Sequence, residues 1–572
     1  MSLTNKEITK KIKLLVNLLE LHGENPFKIR GYSGALQRLE GMSVQVSVCS
    51  EEQLVDIGFS KKMAAMLLEI VENGTHENLE ALLSQTPEDV LKMLNISGIG
   101  PKKVRAIWQD MNIDTIDGLM EACQANRVSE MKGFGKKTEA TILESLQYMK
   151  SNSGKIFYAH AENLFSQLAQ KLDQINGILE INPTGSLRRR LEIIDLIEVA
   201  LLIDQNRTTL FEEIGKIENL TVNPKESSPF YLCGSFHNED HELPFKIHFS
   251  ETHVEYLNTL FGTTGSQNHL LHSINDEHAN LHQIVRNNKD IETEEELYHK
   301  ANLPYIEPEL REGIIEFDLA KKESMPDLLE VQDLKGILHN HSTYSDGANT
   351  LKEMADACRD NGFEYFGISD HSQTAFYANG LKEEDVFKQH KEIDQLNAEY
   401  GDSFKIFKGI ESDILNDGAL DYPDEVLSSF DYIVASIHSN LGMDEKKATA
   451  RLIKAIENPY TTILGHMTGR ILLRREGYPV DHQKVIDACA ANGVIIEINA
   501  SPYRLDIDWR WVHKALEKDV MLSINPDAHE IKGLWDIKYG TLIGRKGGLT
   551  KDMTFNAMSK KEMEIYFQSR KK

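Results

Sequence analysis

The sequence has few cysteines, and their placement does not favour a covalent framework. Its five cysteines, Cys49, Cys123, Cys233, Cys358 and Cys489, are odd in number and scattered, and no two of them form a CxxC pair. This argues against a disulfide scaffold and against a thiolate zinc site, and it fits a reducing compartment. The start of the chain is polar and basic, and no later stretch approaches the roughly 20 uncharged apolar residues of a membrane span. We therefore expect a cytoplasmic protein without a membrane partner.

Positive charge is also scarce relative to negative charge. The 63 lysines and arginines are outnumbered by 89 aspartates and glutamates, which gives a net charge of −26 over 572 residues. This balance disfavours nonspecific binding of nucleic acid over the whole surface, but it permits local basic faces and supplies carboxylates for a metal site. A chain of this length exceeds one hydrophobic core, so three or four domains are expected.

The character of the sequence changes along the chain. The first 150 residues are typical of short amphipathic helices joined by glycine-containing turns, with little strand signal. Residues 153–302 have a mixed α+β pattern, with strand-like runs at residues 193–203 and 245–249. A proline-bearing charged stretch at residues 303–332 is typical of a connector.

Beyond the connector, apolar strands alternate regularly with helical segments. We expect strands at residues 336–339, 365–368, 406–410, 432–437, 462–464, 494–498 and 520–524. Strands and helices that alternate in this way imply parallel strands. Seven such strands within about 200 residues predict a small β/α barrel.

Ligand-type side chains stand at or next to the ends of all but one of these strands. They are His339, His341, Asp346, His371, Glu411, His438, His466, Asp527 and His529. Because the C-terminal strand ends of a β/α barrel share one face, these groups should converge. Both histidines of the HxH pair should face the same way, since alternate side chains of a strand do so. Any one of these histidines alone would be more simply a surface or core residue, but the set predicts a centre for Zn, Mn or Fe.

The segments around these residues resemble the successive motifs of the PHP (polymerase and histidinol phosphatase) superfamily. These segments are HNHSTYSDG, SDHS, GIESDI, ASIHS, GHMTGR and PDAH. The resemblance implies a distorted (β/α)7 barrel with three divalent metal ions. It would place His339, His341, Glu411 and Asp527 on the first ion, Glu411, His438 and His466 on the second, and Asp346, His371 and His529 on the third. Such ions neutralise a phosphate and activate water, so a metal-dependent phosphoesterase is predicted. Arg470 and Arg504 are candidates for holding substrate phosphates.

Two segments in the first half have the form hxGhGxK and resemble the helix-hairpin-helix DNA-binding motif. They are residues 96–103, ISGIGPKK, and residues 131–137, MKGFGKK. The glycines let the backbone approach a phosphate, N–H groups at the start of the next helix bind it, and the lysines add positive charge. The residues expected to contact DNA are Gly98, Gly100, Lys102, Lys103, Gly133, Gly135, Lys136 and Lys137. Residues 57–62, IGFSKK, resemble a third, eroded copy.

The whole N-terminal half resembles a family X DNA polymerase. Residues 25–32, NPFKIRGY, are similar to its first helical motif, residues 185–190, GSLRRR, to the nucleotide-phosphate loop of its palm, and residues 303–312 to the end of its polymerase region. With the PHP domain behind it, this is the layout of bacterial and archaeal family X polymerase/3′–5′ exonucleases. The implied fold class is multidomain, α+β followed by α/β. The implied domains are a helical DNA-binding domain at residues 1–85, a fingers-like helix-hairpin-helix domain at 86–150, a nucleotidyltransferase-like palm at 151–250, a thumb-like domain at 251–315, a linker at 316–332 and the PHP domain at 333–572.

The resemblance fails at the positions that carry polymerase chemistry. The family holds two metal ions with three palm aspartates, and these positions align without gaps to Leu196, Glu198 and His248. Asp195 lies one residue earlier and should point to the opposite face of the strand. One glutamate cannot hold two Mg²⁺ ions in octahedral geometry, so magnesium in the palm is not expected. The lysine that forms a Schiff base in lyase-competent relatives aligns with Met66. Polymerase and lyase activities are therefore predicted to be absent or vestigial.

The rest of the nucleotide site is expected to survive mainly as scaffold. Its remaining members are Gly185, Ser186, Arg189, Gly265 and Ser266, which would at most still contact a phosphate. The aromatic pair that lines the incoming sugar in relatives is replaced by Gly262-Thr263. We therefore interpret the polymerase-like half as a module that positions DNA.

Four functions remain to be compared. The favoured one is a Mn²⁺- or Zn²⁺-dependent nuclease that acts on DNA 3′ ends in repair, with abasic sites as a further option. The second is a gap-filling polymerase, which would need Asp195 and another carboxylate near Glu242 or Glu251 to rebuild the palm site. The third is a small-molecule phosphatase of the histidinol-phosphate type, and the tandem hairpins argue against it. The fourth is a scaffold without chemistry, which nine intact ligand positions disfavour. DNA is the expected partner and a monomer the expected state.

Overall fold

A computed structural model describes residues 3, 5–40, 42, 44–96, 98–274, 280–287 and 290–570. The chain forms two compact units, Met1–Ser153 and Gly154–Lys572. Among the described residues, the helices are all too short or too polar to cross a bilayer.

The first unit contains helices and turns, and no strand, over its described residues. Its helices are α1 (Asn5–Leu21), α2 (Pro26–Glu40), α3 (Glu51–Asp56), α4 (Lys61–Asn73), α5 (Glu77–Gln85), α6 (Glu88–Met93), α7 (Pro101–Arg105), α8 (Ile116–Gln124) and α9 (Lys136–Ser151). In α1 the buried residues Ile8, Ile12 and Leu15 recur at helical spacing and form one apolar stripe. Ser50 and Ser60 cap α3 and α4 through their hydroxyls. The helical character predicted for the first 150 residues is confirmed.

The second unit begins with a mixed α+β region. Its strands are β1 (Ile156–Phe157), β2 (Ile178–Thr184), β3 (Ile193–Ile194), β4 (Ile197–Ile203), β5 (Leu220–Val222), β6 (Tyr231–His237) and β7 (Glu242–Ser250). Its helices are α10 (Tyr158–Leu172), α11 (Gly185–Arg188), α12 (Arg207–Ile214), α13 (His253–Thr264), α14 (Gln267–Leu271), α15 (Leu281–Asn287), α16 (Glu294–Lys300) and α17 (Glu316–Lys321). The main sheet has the order β2-β4-β7-β6-β5. The run predicted at residues 193–203 is split, because β3 pairs with β1 whereas β4 pairs with β2 and β7.

The two faces of β4 and β7 meet different partners. Val199 and Ile247 belong to the core beneath α10 and α12. Ala200, on the opposite face, packs against α13. Glu198 lies two residues before Ala200 in β4, and His248 of β7 is the register partner of Ala200. Both side chains therefore lie on the α13 face.

A buried glutamate joins three segments of this region. Glu294 in α16 receives the guanidinium of Arg188 at 2.5 and 3.0 Å and that of Arg311 at 2.7 and 3.4 Å. Arg311 is fully buried, and Phe261, Tyr298 and Tyr305 surround its guanidinium. We call Arg188, Glu294 and Arg311 the Glu294 clamp.

The stretch expected as a connector carries structure of its own. It contains α17, and the buried Leu329 donates its N–H to the carbonyl of Leu549 at 2.9 Å. Elsewhere in this unit, Glu192 accepts hydrogen bonds from Trp509 at 3.0 Å and from Arg510 at 2.8 Å. The domain boundaries drawn from the sequence stay a prediction.

The remainder of the second unit is an all-parallel seven-stranded sheet. Its strands are β8 (Gly336–Ile337), β9 (Tyr365–Ile368), β10 (Lys405–Asp413), β11 (Tyr432–Ser436), β12 (Ile463–Leu464), β13 (Ile495–Asn499) and β14 (Leu522–Asn525). Its helices are α18 (Leu351–Asp360), α19 (Glu383–Tyr400), α20 (Asp424–Leu427), α21 (Glu445–Ile456), α22 (His482–Asn492), α23 (Trp509–Leu516), α24 (Ile537–Lys546) and α25 (Lys560–Arg570). The strands follow one another in chain order across the sheet. The predicted barrel architecture is confirmed, with each strand close to its predicted place.

The interior of the barrel is apolar at one end and polar at the other. Phe407 and Tyr432 point inwards near the strand starts, where Phe555 and Phe567 cover them. Gly409 leaves room for this packing, because a Cβ there would lie 2.4 Å from the Tyr432 ring. Towards the strand ends the inward positions become polar, as in Glu411 of β10.

The sheet curves until its first and last strands meet without forming a regular ladder. Over residues 290–570, all of which are described, β8 and β14 are connected by one isolated bridge between Asn340 and Ala528. There the N–H of His341 donates to the carbonyl of Ala528 at 2.8 Å. At the opposite end, the amide of Asn556 donates to Ile524 and Gly336, which belong to the two strands, at 2.7 and 3.1 Å. The barrel is therefore nearly closed.

Candidate metal centre

The nine predicted ligand side chains lie together at the C-terminal ends of the strands. His339, His341 and Asp346 follow β8, His371 follows β9, Glu411 lies in β10, His438 follows β11, His466 follows β12, and Asp527 and His529 follow β14. We call these nine residues the metal cluster. Strand ends remote in sequence thus bring the predicted set to one rim of the barrel.

The carboxylate of Glu411 occupies the middle of the metal cluster. Its Oε1 lies 3.0 Å from His466 Nε2, 3.1 Å from His438 Nε2 and 3.3 Å from His339 Nε2. Its Oε2 lies 2.9 Å from His371 Nδ1. Glu411 is only 1% exposed, so imidazoles replace water around a buried carboxylate.

Three groups within the cluster have ligand atoms close enough to share a metal ion. They are His339, His341 and Asp527; His371, Glu411 and His438; and His341, Asp346, His371 and His529, with the ligand atoms of each group within 4.8 Å of one another. The groups overlap with the three sets implied by the family resemblance but are not identical to them. His341 also joins the Asp346 group, and His371 also joins the Glu411 group.

Five buried atoms in the cluster have no hydrogen bond of good geometry among the described residues. They are Nε2 of His339, Oε2 of Glu411 and Nδ1 of His341, His371 and His466. Leaving such polar atoms buried and unbonded is costly, so a bound cation suits the site. Imidazole and carboxylate donors are also the set that Zn, Mn and Fe ions prefer.

The candidate ligands have unusual backbone conformations where the strands end. His339 has φ +56° and Asp527 has φ +53°, both in the left-handed region. This conformation explains why β8 ends at Ile337 and not at the predicted residue 339. The HxH pair therefore does not lie on a regular strand, yet His339 and His341 still face Asp527 Oδ1, at 3.8 and 3.0 Å. Strained backbone of this kind is common at functional sites.

Two carboxylates that sequence reasoning did not assign orient the imidazoles. Asp413 Oδ1 lies 2.5 Å from His438 Nδ1, and Glu497 Oε1 lies 2.5 Å from His339 Nδ1. Each contact leaves the Nε2 atom of the histidine facing the cluster. A signal for Glu497 was present, because an acid within the apolar strand VIIEI is rarely buried without a partner.

Burial and neighbouring charges strongly shift the pKa values of side chains in the cluster. Burial alone would raise the pKa of Glu411, but the charges of His438 and His339 hold it well below its ordinary value. Burial alone would lower the pKa of His438, but Glu411 and Asp413 raise it to about 10. Burial, together with the charges of His529 and His371, lowers the pKa of His341 to about 3. Metal ions would displace protons from such imidazoles on binding.

The two candidate phosphate-binding arginines differ in how they are held. Arg470 donates from Nε to the carbonyl of Arg504 at 2.9 Å and also contacts Leu505 and Asp508. Arg504 extends towards the cluster, with Nε 4.0 Å from Asp527 Oδ2. Arg470 therefore supports the loop that carries Arg504, which leaves Arg504 better placed to contact a substrate.

The hairpin glycines have the conformations that their motifs require. Gly98 and Gly133 adopt φ +82° and +92° in the left-handed region. Gly100 and Gly135 cap α7 and α9, so that Lys102, Lys103, Lys136 and Lys137 all fall in the first turn of a helix. Lys103 lies 5.6 Å from the Phe134 ring, which joins the two hairpins. Ser97, within the first motif, lies outside the described residues.

The α13 face of β4 and β7, where a polymerase palm would hold its metal ions, has few side chains that could bind metal. Glu198 Oε1 lies 3.7 Å from His248 Nε2, and Lys246 is the register partner of Glu198. Leu196 precedes β4, and Asp195 is exposed. Within the described parts of the chain, every group of three or more potential metal ligands belongs to the barrel.

The residues that resemble the nucleotide-phosphate loop are engaged in contacts with other residues of the protein. Arg189 pairs with Glu312 at 3.0 Å and donates to the carbonyl of Thr264 at 2.7 Å. Ser266 caps α14 with its hydroxyl, and its N–H donates to the carbonyl of Arg311 at 3.0 Å. A Cβ on Gly185 would lie 2.2 Å from Glu198 Oε2, and one on Gly265 would lie 3.0 Å from His269. Ser186 lies beside Gly185 in α11.

Family models match three parts of the chain. A PHP domain model matches residues 338–501, a tandem helix-hairpin-helix model residues 90–147, and a further helix-hairpin-helix domain model residues 3–76. Over nearly its full length, the chain is similar to a DNA polymerase/3′-5′ exonuclease PolX of Bacillus subtilis (strain 168). The two are 32% identical over 581 residues, which is 98% of this chain and 99% of that protein. The chain belongs to the PolX family.

Other similarities cover single parts of this PolX family member. A probable phosphatase of Thermoanaerobacter sp. (strain X514) is 26% identical over 251 residues, 41% of this chain and 95% of that protein. The solved ternary P/T complex of Leishmania infantum polymerase beta covers 39% of this chain and 100% of its own, with 15% identity and a TM-score of 0.25. A score that low says nothing about the fold.

Proposed function

We propose that the protein is a metal-dependent phosphodiesterase that removes nucleotides from DNA 3′ ends during repair. The main support is that eight imidazole and carboxylate side chains converge with the buried Glu411 at the rim of the barrel. The similarity to a DNA polymerase/3′-5′ exonuclease of Bacillus subtilis supports it. Cleavage at abasic sites is a second activity of the same centre under this proposal.

The metal cluster is suited to hold three divalent ions of the Zn, Mn or Fe type. Bound there, such ions would neutralise a phosphate, lower the pKa of a water molecule and stabilise the leaving oxygen. The protein contributes the orientation of the ligands: Asp413 fixes the ring of His438, and Glu497 fixes that of His339. Arg504 is placed to bind a phosphate oxygen beside Asp527.

DNA is the proposed substrate because of the first unit. Gly98 and Gly133 take the left-handed backbone that the hairpin turns need, and lysines fill the first turn of each following helix. Backbone N–H groups and lysines in this arrangement bind phosphates without reading the sequence. The matched tandem helix-hairpin-helix model supports this assignment.

Under this proposal the palm does not catalyse nucleotide addition. At the positions that align with the catalytic aspartates it offers one carboxylate, Glu198, beside His248 and Lys246. Arg189 is already paired with Glu312. Met66, aligned with the lyase lysine, is buried in α4. These observations favour an exonuclease over a gap-filling polymerase.

Replacing Asp527 with Asn tests the site and the activity together. The variant keeps the size of the side chain but removes a negative charge from the group of His339, His341 and Asp527. We expect shortening of a labelled primer–template to fall by about three orders of magnitude, equivalent to about 4 kcal/mol in the barrier. DNA binding, measured by fluorescence anisotropy, should remain within twofold.

The same labelled primer–template separates the alternatives. With Mn²⁺ and all four nucleotides, the wild type should shorten the primer and should not lengthen it. Template-dependent lengthening would establish the polymerase alternative. Faster turnover of a small phosphomonoester than of the DNA end would favour the small-molecule phosphatase instead. Shortening that persists in the Asp527→Asn variant would refute the site assignment.

A further inference from the structure

Two adjacent aromatic side chains are exposed on the loop between β9 and α19. Phe376 is 85% exposed and Tyr377 is 67% exposed, whereas their neighbours Ala375 and Ala378 are fully buried. Burying a phenylalanine side chain typically contributes about 1.5–3 kcal/mol, so the loop forgoes stability by presenting both rings to solvent. Single exposed apolar residues are common, but a contiguous pair beside a functional centre indicates a binding surface.

The loop that carries the two rings is firmly anchored. Asp421 Oδ2 accepts hydrogen bonds from the Ser372 hydroxyl at 2.7 Å, from the Thr374 N–H at 2.7 Å and from the Thr374 hydroxyl at 2.9 Å. Gly380 lies so close to Ser372 that a Cβ would be 1.9 Å from its carbonyl oxygen. The exposure of the rings is therefore a feature of an ordered loop.

The anchoring connects the rings to the metal cluster. The Thr374 hydroxyl, which lies between two carboxylates, is also 2.9 Å from Oδ2 of Asp413, and Asp413 is the carboxylate that orients His438. The Tyr377 ring centroid lies 6.0 Å from that of His371 and 6.4 Å from that of His438. A group that stacks on this pair would thus be next to a phosphate bound at the cluster.

We propose that Phe376 and Tyr377 form a stacking site for the nucleobase of the 3′-terminal nucleotide. This rests on the proposed function, since it places the base of the residue whose phosphodiester is hydrolysed. A flat aromatic surface binds any base through its π face, as a nuclease without sequence preference requires. The cluster and Arg504 bind the phosphate, and the two rings hold the base, so the terminal nucleotide is fixed at both ends.

The test compares two single-stranded oligonucleotides that differ only at the 3′ end. One ends in an ordinary nucleotide and the other in a tetrahydrofuran residue, which keeps the phosphodiester but lacks the base. We expect wild-type protein to hydrolyse the ordinary end with a kcat/KM about tenfold higher or more, given the typical strength of base–aromatic stacking. In the Phe376→Ala/Tyr377→Ala variant, this ratio should fall to about one.

Conservative variants and an exposed aromatic residue outside the loop serve as controls. Phe376→Tyr and Tyr377→Phe keep both rings and should keep the ratio. Phe387 in α19 is 51% exposed, and Phe387→Ala should leave the ratio unchanged. Metal content, measured by elemental analysis, should be equal in all of these proteins.

Each other outcome overturns the proposal in a recognisable way. Equal hydrolysis of both ends by the wild type removes the stacking site but leaves the proposed function standing. Loss of activity on both ends in the double variant, with an unchanged ratio, shows that the rings support the centre and do not bind a base. Failure of the wild type to hydrolyse either end removes the proposed function, and the stacking site with it.

Discussion

At the scale of single residues, the candidate metal centre relies on two acids outside the nine predicted ligands. Asp413 and Glu497 each hold the Nδ1 side of an imidazole, and Glu497 also accepts the N–H of His466 at 2.7 Å. Such contacts fix both the tautomer and the direction of a ligand. Glu497 thereby links two strand ends, after β8 and β12, through one carboxylate.

Replacing Glu497 with Gln should weaken the centre without removing a ligand. The amide keeps the size of the side chain but loses the charge that holds His339 Nδ1, so metal affinity should fall by roughly 10- to 100-fold. Equilibrium dialysis against Mn²⁺ or Zn²⁺ measures the affinity, and activity should recover partly at high metal concentration. Glu425→Gln, at an exposed position, is the matched control. An affinity within twofold of the wild type would show that Glu497 has no positioning role.

The sequence predicted the ligands better than it predicted their surroundings. Histidines and acids at strand ends are visible because their residue types and their places in the β/α pattern are both unusual. Asp413 stands within the GIESD motif, but only the folded chain shows that its carboxylate meets His438. The exposure of Phe376 and Tyr377 depends on which neighbours the loop buries, and no local pattern encodes that.

At the scale of elements, buried ion pairs connect the helices of the mixed α+β region. The Glu294 clamp joins α11, α16 and the segment around Arg311. Burial alone would raise the pKa of Glu294, but Arg311 and Arg188 lower it to about 2. An acid whose pKa is lower in the folded state stabilises the protein fully above its ordinary pKa, and that contribution is lost as the pH falls towards the folded value.

Replacing Glu294 with Gln should therefore destabilise the protein in a pH-dependent way. At neutral pH the variant leaves the buried Arg311 and the half-buried Arg188 without a carboxylate, and a loss of about 3 kcal/mol or more is expected. Below the ordinary pKa of 4.5 the difference from the wild type should narrow as the pH approaches 2. Urea unfolding at pH 7 and pH 3 measures both values. Glu295→Gln, one residue along and exposed, should show no such trend.

The elements themselves followed from the sequence where the hydrophobic pattern was regular. The barrel strands are short apolar runs between amphipathic helices, and each was predicted close to its observed place. The run at residues 193–203 was predicted as one strand but is divided into β3 and β4. Its division depends on pairing with β1, β2 and β7, and such long-range partners cannot be read from a local run.

At the scale of the whole molecule, removal of metal should lower stability. A ligand that binds only the folded state at 100 times its dissociation constant stabilises a protein by about 2.7 kcal/mol. We expect a chelator to lower the Tm of the metal-loaded protein by several degrees, and addition of Mn²⁺ or Zn²⁺ to restore it. In the Asp527→Asn variant, the chelator should lower the Tm by less than it does in the wild type. An unchanged Tm after verified loss of metal would contradict a structural contribution of the ions.

The meeting of β8 and β14 would give an ion bound by His339, His341 and Asp527 a mechanical role. His339 and His341 come from one edge of the curved sheet and Asp527 from the other, so one cation held by all three would act as a removable cross-link across the gap. The His341 N–H, which donates to Ala528 over this gap, should exchange with deuterium more slowly in metal-loaded than in metal-free protein. The amide of Val434, in the middle of the sheet, should exchange at the same rate in both forms of the protein. Catalytic competence and an unbroken ring of strands would then be gained and lost together.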